Sequence, residues 1–105
     1  MAYVAEWNAE TLTRDQVDTL EGLTVVEFGA NWCPHCQAAQ APLQAALGQK
    51  GKIRHLKIED GKGRPLGRSY GVKLWPNYVL LRDGQVVQQL ARPSEEELQT
   101  AIAAL

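Results

Sequence analysis

The chain has 105 residues, of which 45% are hydrophobic and 22% charged, and its formal net charge is -1. This size and composition predict one globular domain over residues 1–105, with a core that needs no disulfides to fold. Residues 1–20 lack the basic start and apolar stretch of a secretory signal, and no apolar run is long enough to span a membrane. With Met1 as the natural start we expect a cytoplasmic protein without a membrane partner, or a periplasmic one if a signal segment was removed.

The charged residues are unevenly distributed. Residues 1–27 hold six acids against Arg14, whereas residues 50–73 hold eight bases against Glu59 and Asp60. These bases follow no helical stripe, and aromatic residues are not interleaved among them in the repeated way that base stacking requires. We therefore interpret the basic stretch as a solvated face and expect no nucleic-acid partner.

The first predicted elements alternate between strand and helix. Residues 3–7 (YVAEW) alternate polar and apolar side chains as a strand does. Residues 10–20 have apolar side chains at roughly helical spacing, with Thr11 or Thr13 as the N-cap. Residues 23–29 (LTVVEFG) are apolar and rich in β-branched side chains, which is typical of a strand buried on both faces.

The alternation continues through the middle of the chain. Residues 34–47 are rich in alanine and predict a helix, which Pro34 can open and which Pro42 should kink. Residues 53–59 (IRHLKIE) predict a third strand, and residues 64–71 predict a short helix or turn.

The last third predicts a hairpin followed by a helix. Residues 77–90 form two strand patterns separated by Asp83 and Gly84, a pair that favours a tight turn. Ser94 and Glu97 have the spacing of a capping box and open the final helix. The order β-α-β-α-β-α-β-β-α predicts an α/β fold with a central mixed sheet flanked by helices.

Two cysteines lie where the buried strand at residues 23–29 meets the following helix. The first turn of a helix leaves backbone N–H groups unpaired and carries partial positive charge, which stabilises a thiolate at Cys33. Cys36 lies one turn later on the same face but deeper, where it can attack a mixed disulfide formed at Cys33. The motif therefore predicts a two-electron dithiol couple that needs no cofactor or metal.

A metal site and plain packing are the alternatives for this motif. A tetrahedral zinc site needs two further ligands, and the only histidines are His35, between the cysteines, and His55, on a predicted strand. Two cysteines at this spacing, directly after Trp32, are also unusual as core filler. The dithiol couple is favoured over both.

Four segments in sequence order, VVEFGANWCPHC, LKIED, SYGVKLWP and LLRDGQVV, resemble the thioredoxin family over almost the whole chain. The resemblance implies a thioredoxin fold and a monomeric thiol-disulfide oxidoreductase that acts as a reductase of disulfide-containing protein substrates. It also implies an electron donor similar to thioredoxin reductase. Pro76 matches the cis-proline that faces the two cysteines and helps to hold the substrate peptide.

Glu27 lies inside an otherwise apolar strand. Burial of an ionised carboxylate is unfavourable, so its pKa should rise unless a partner such as Lys57 compensates. The resemblance implies that this pair assists proton removal from Cys36, with Glu27 as a water-mediated general base, although the family typically has aspartate there. The alternative is an edge carboxylate that reaches solvent.

The resemblance further implies a substrate site that contains Trp32, Pro34, His35, Trp75, Pro76 and Arg92. The Pro34-His35 dipeptide resembles that of the periplasmic oxidant DsbA and favours oxidation, and Trp75 is expected to fill part of the substrate groove. Arg92 either meets substrate or is an exposed bystander. Two alternatives to a reductase therefore stay open: a DsbA-like oxidant after export, and a non-enzymatic metal-binding or adaptor module on the same fold.

Overall fold

The computed structural model of the chain describes residues 2–9 and 12–105. The helices are α1 (Arg14–Asp18), α2 (Pro34–Lys50), α3 (Pro65–Ser69) and α4 (Glu95–Ala104). The strands are β1 (Leu23–Gly29), β2 (Arg54–Glu59), β3 (Asn77–Arg82) and β4 (Gln85–Ala91).

The strands form one mixed sheet in the order β2-β1-β3-β4. Strands β1 and β2 run parallel, because the chain crosses over between them through α2. Strand β3 runs antiparallel to β1, and β4 runs antiparallel to β3. The predicted α/β architecture with a central mixed sheet is therefore confirmed.

Helices cover both faces of the sheet, because successive side chains of a strand point to opposite sides. Val25 of β1 packs with residues of α2 and α4 in one core cluster. Its neighbour Val26 packs with residues of α1 and α3 in a second cluster on the other face. No helix within residues 2–9 and 12–105 is long and apolar enough to cross a membrane.

The turn and cap signals of the last third are confirmed. Asp83 and Gly84 both have positive φ values, 52° and 80°, as a two-residue hairpin turn requires. The Ser94 hydroxyl accepts a hydrogen bond from the Glu97 backbone N–H, and the Glu97 side chain accepts one from the Ser94 N–H. Helix α2 begins at Pro34 as predicted, while the kink expected at Pro42 stays a prediction.

The helix predicted over residues 10–20 is confirmed in its central part. Thr13 is the N-cap of α1, and its hydroxyl accepts a hydrogen bond from the backbone N–H of Gln16. Glu10 and the alternative cap Thr11 lie outside the described residues.

The strand predicted over residues 3–7 is wrong. In this amino-terminal segment Asn8 alone forms a bridge, in parallel orientation, with Ile58 of β2. The backbone N–H of Val4 donates to the imidazole of His55 instead of to a strand neighbour. Tyr3 and Trp7 are partly buried against core residues, but Ala5 between them is exposed, so the alternation in the sequence corresponds to no strand.

The contact between the hairpin turn and α1 predicts that replacement by alanine destabilises the protein more at Gly84 than at Gly22. Gly84 and Gly22 both have a φ of 80°, but a Cβ added at Gly84 would collide with the backbone carbonyl of Asp18, whereas one at Gly22 meets nothing within 4 Å. We expect Gly22→Ala to lower the free energy of unfolding by about 1–2 kcal/mol from backbone strain alone. Gly84→Ala should lower it by about 1–3 kcal/mol more, because the end of α1 must move. Urea unfolding measures both variants, and equal losses would contradict the close approach.

Candidate active site

Cys33 is the N-cap residue of α2, at the positive end of that helix. Its sulfur accepts a hydrogen bond from the backbone N–H of Cys36 at 3.2 Å. Both cysteines are free thiols, and Cys33 is 4% exposed while Cys36 is 1% exposed. The predicted arrangement, with one sulfur at the helix terminus and the second one turn deeper, is confirmed.

The sulfur of Cys36 lies in a space that the absence of a side chain at Gly29 leaves open. A Cβ added at Gly29 would lie 2.5 Å from Cys36 Sγ and 2.8 Å from Cη2 of Trp7. Burial, together with the neighbouring Cys33 and the negative charge of Glu27, raises the pKa of Cys36 to about 12. Cys36 is therefore a thiol at neutral pH and needs a base before it can attack.

Glu27 is 0% exposed and accepts hydrogen bonds from β2. Its Oε1 atom lies 2.8 Å from Nε2 of His55 and 3.1 Å from Nζ of Lys57. The predicted pairing with Lys57 is thus confirmed. The alternative of an edge carboxylate that reaches solvent is wrong, because Glu27 is fully buried and its strand β1 lies between β2 and β3 in the sheet.

Gln40 connects the buried carboxylate to the helix that carries the cysteines. Its Nε2 donates to Glu27 Oε2 at 2.8 Å and to the backbone carbonyl of Cys36 at 2.7 Å. Nζ of Lys57 in turn donates to Gln40 Oε1 and lies 4.2 Å from the ring centroid of Trp7. Both carboxylate oxygens of Glu27 therefore have hydrogen-bond donors.

These donors decide the ionisation of Glu27. Burial raises its pKa, but the hydrogen bond from His55 and the charge of Lys57 outweigh burial and hold the pKa below its ordinary value. The pKa of Lys57 is also lowered, because burial outweighs its attraction to Glu27. The rise expected for an uncompensated acid does not occur, and Glu27 is a carboxylate at neutral pH.

Sequence reasoning missed His55, Gln40 and Trp7 as members of this site. His55 is two residues before Lys57 on β2, and the register pairs His55 with Val25 and Lys57 with Glu27. Residues two apart on a strand share a face, so this spacing was a usable signal. The position of Gln40 was a usable signal as well, because Gln40 lies four residues after Cys36 and therefore one turn along the same helix.

The predicted substrate residues lie around the amino terminus of α2. Trp32 is 71% exposed and contacts Trp75 edge to face, with ring centroids 5.5 Å apart. Trp75 packs against the two cysteines, and its Nε1 donates to Asp60 Oδ2 at 2.8 Å. The Trp75–Pro76 peptide bond is cis. Pro34 is exposed at the first position of α2.

A groove of about 260 Å³ brings together three further predicted residues, His35, Pro76 and Arg92. Arg92 has a φ of 46°, which is strained for a residue with a side chain. Its Nε donates to the carbonyl oxygen of Trp75 at 2.6 Å. Arg92 is exposed and is hydrogen-bonded to the cis-proline loop, and its contact with substrate stays a prediction.

The imidazole of His55 is engaged by Glu27 and Val4, which leaves the two cysteines and His35 as donors for the zinc alternative. Within the part of the chain that the structure describes, no three His, Cys, Asp or Glu side chains are placed to hold a metal ion.

Comparisons with known proteins agree on one family. A family model described as Thioredoxin matches residues 4–104. A thioredoxin H-type of Ricinus communis is 32% identical over 101 residues, which cover 95% of this chain and 82% of that protein. A thioredoxin H-type 1 of Nicotiana tabacum is 31% identical over 100 residues, which cover 94% of this chain and 76% of that protein.

A solved structure is similar as well. The reduced form of thioredoxin 2 from Pseudomonas aeruginosa PAO1 is 49% identical, with a TM-score of 0.83, over 93% of this chain and 92% of that one.

The different surroundings of the two sulfurs predict selective alkylation. At about pH 6.5, iodoacetamide should modify Cys33 alone, because only its sulfur lies at the helix terminus while Cys36 is held as a thiol. Mass mapping of peptides from the reduced protein measures the modification at each site. In the matched variant Cys33→Ser we expect little label at Cys36. Equal modification of both cysteines in the wild type would contradict the assignment.

Proposed function

The chain belongs to the thioredoxin family, and from that membership we propose that it reduces disulfides in protein substrates. The family and the neighbouring cysteines make it a thiol-disulfide oxidoreductase. The observation that carries the reductase proposal is the buried Cys36 thiol, which lies one turn behind Cys33 and whose pKa is raised in part by the charge of a fully buried carboxylate. Electrons would come from a donor similar to thioredoxin reductase, and no bound cofactor is needed.

The proposed reaction has two displacement steps. The Cys33 thiolate attacks one sulfur of the substrate disulfide, forms a mixed disulfide and releases the first substrate thiolate. Cys36 then loses its proton and attacks the Cys33 sulfur, which releases the second substrate thiolate. The protein ends with a Cys33–Cys36 disulfide, and the substrate has gained two electrons.

Glu27 is the proposed acceptor of the Cys36 proton, through a bridging water, and Lys57 assists it. Three observations support this role: Glu27 is ionised, it is linked to Cys36 through Gln40, and its charge acts on the Cys36 thiol. A base is required because the Cys36 pKa of about 12 leaves almost no thiolate at neutral pH.

The groove beside Pro76 is the proposed place for the substrate peptide. Trp32 and Trp75 offer an aromatic surface next to Cys33, and His35 and Pro34 flank the amino terminus of α2. Arg92 holds the Trp75 carbonyl through Nε. We propose that an incoming substrate amide competes with Arg92 for this carbonyl, so that Arg92 adjusts which peptides bind.

Two features bear on the alternative of a DsbA-like oxidant. His35 is exposed in the first turn of α2, where a protonated imidazole favours a thiolate over a disulfide. A buried base beside Cys36 instead serves disulfide formation within this chain, which is the step that reduces a substrate. We therefore propose a reductase. We also propose that it works as a monomer in the cytoplasm, with the periplasm as the alternative compartment.

Reduction of insulin by dithiothreitol tests the function and the role of Glu27. The wild-type protein should accelerate precipitation of the insulin B chain, and Cys33→Ser should abolish the acceleration. Glu27→Gln should slow it roughly ten- to a hundredfold, because general-base assistance is lost. Glu59→Gln is the matched control, since Glu59 ends β2 with a side chain that is 40% exposed. No acceleration by the wild type would overturn the reductase proposal, and an unchanged Glu27→Gln rate would remove the base.

A further inference from the structure

Both ring nitrogens of the buried His55 are hydrogen-bonded, and together their partners define its protonation. Nδ1 lies 2.9 Å from the backbone nitrogen of Val4, which can only donate, so Nδ1 accepts and carries no proton. A neutral imidazole then has its proton on Nε2, which lies 2.8 Å from Glu27 Oε1. His55 is therefore a neutral donor to the buried carboxylate, assigned from its partners.

We propose that His55 is a positioning residue for the thiol-disulfide reaction: its neutral imidazole holds Glu27 in the ionised form that accepts the proton of Cys36. The inference rests on the proposed function of Glu27 and adds a second residue that acts through it. A hydrogen bond to the charged form of an acid stabilises that form over the neutral one. His55 thereby lowers the pH at which Glu27 becomes protonated and ceases to be a base.

Other groups also face Glu27, from every element packed against it. They are Lys57 on β2, Gln40 and Cys36 on α2, Tyr78 on β3 and Tyr3 of the amino-terminal segment. Lys57 is the cation among them. Burial, followed by the charge of Glu27, raises the pKa values of Tyr3 and Tyr78, so both are neutral phenols. The Tyr78 hydroxyl has no hydrogen-bond partner among the described residues.

The amino-terminal segment fixes the tautomer of His55. An imidazolium carries protons on both nitrogens, and its Nδ1–H would oppose the N–H of Val4. Tyr3 stacks on the imidazole with ring centroids 5.6 Å apart and an interplanar angle of 25°. The bridge between Asn8 and Ile58 anchors the segment to β2. These contacts all suit the imidazole tautomer with its proton on Nε2.

The step that depends on Glu27 can be observed separately. An aromatic disulfide that releases a coloured thiolate reacts with the reduced protein in two phases. In the first, Cys33 forms a mixed disulfide and one coloured thiolate leaves. In the second, Cys36 gives its proton to Glu27 and attacks the Cys33 sulfur, and the second coloured thiolate leaves. At saturating reagent, stopped-flow absorbance measures the rate of this second, intramolecular phase against pH.

The expected result is a shift of the acid limb of this pH profile. In His55→Phe a donor to the charged carboxylate is lost, so Glu27 takes up a proton at a higher pH. On acidification, the rate of the second phase therefore begins to fall at a higher pH than in the wild type. We expect the limb to move upward by about one to two pH units. His55→Gln keeps an N–H donor of similar reach and should restore most of the wild-type profile. In the Glu27→Gln background, His55→Phe should leave the profile unchanged.

Each outcome bears on one of the two claims. If Glu27→Gln leaves the second phase at the wild-type rate, the proposed base is wrong. If Glu27→Gln slows it but His55→Phe leaves the acid limb in place, or His55→Gln shifts it as far as His55→Phe, the role of His55 is overturned. Nitrogen NMR of the wild-type histidines gives a test that needs no variant: we expect a neutral His55 with its proton on Nε2 at neutral pH. An imidazolium, or a proton on Nδ1, would refute the assignment.

Discussion

An ionised carboxylate with no access to solvent requires a donor on each oxygen, and Glu27 is such a group. Without partners a buried charge costs several kcal/mol, on the order of the net stability of a small domain. Lys57 and His55 satisfy one oxygen and Gln40 the other. The fold is built so that β2, α2 and the amino-terminal segment all meet at this one side chain of β1.

The same constraint aligns the reactive groups. Gln40 bonds both Glu27 and the carbonyl of Cys36, so the helix that carries the cysteines is tied to the strand that carries the base. Trp7, from the amino-terminal segment, occupies the space next to Gly29, and its ring lies over Nζ of Lys57. The ring thus covers the ion pair between Lys57 and Glu27. The lowered pKa of Glu27 keeps it ionised and able to accept a proton, but it also makes Glu27 a weak base toward the Cys36 thiol.

Much of this could be predicted from the sequence. The strand at residues 23–29, the capping box at Ser94 and the turn at Asp83 follow from local propensity, which the fold does not override. The cysteines could be placed because a residue that opens a helix lies beside the unpaired N–H groups of its first turn, and a residue three positions later lies one turn along. The pairing of Glu27 with Lys57 was expected because a buried carboxylate needs a partner and because both positions match the thioredoxin pattern.

The remainder depends on contacts between distant segments. Residues 3–7 alternate like a strand, yet the N–H of Val4 bonds an imidazole about fifty positions away in the chain, and periodicity carries no information about that partner. The role of His55 depends on the register of β2 against β1, which places His55 and Glu27 on the same face of the sheet. The pKa of Glu27 was expected to rise unless a partner compensated, and its direction depends on Lys57, which was expected, together with His55 and Gln40, which were not.

Carbon NMR of the Glu27 carboxyl group tests the central claim most directly. The reduced protein, labelled with ¹³C in its glutamate side chains, is titrated from acid to neutral pH, and the Glu27 signal is assigned by its absence in Glu27→Gln. The account predicts a carboxylate throughout the neutral range, with a pKa below the ordinary glutamate value of about 4.3. A Glu27 signal that titrates at or above that value would show that the donors do not offset burial, and would contradict the account.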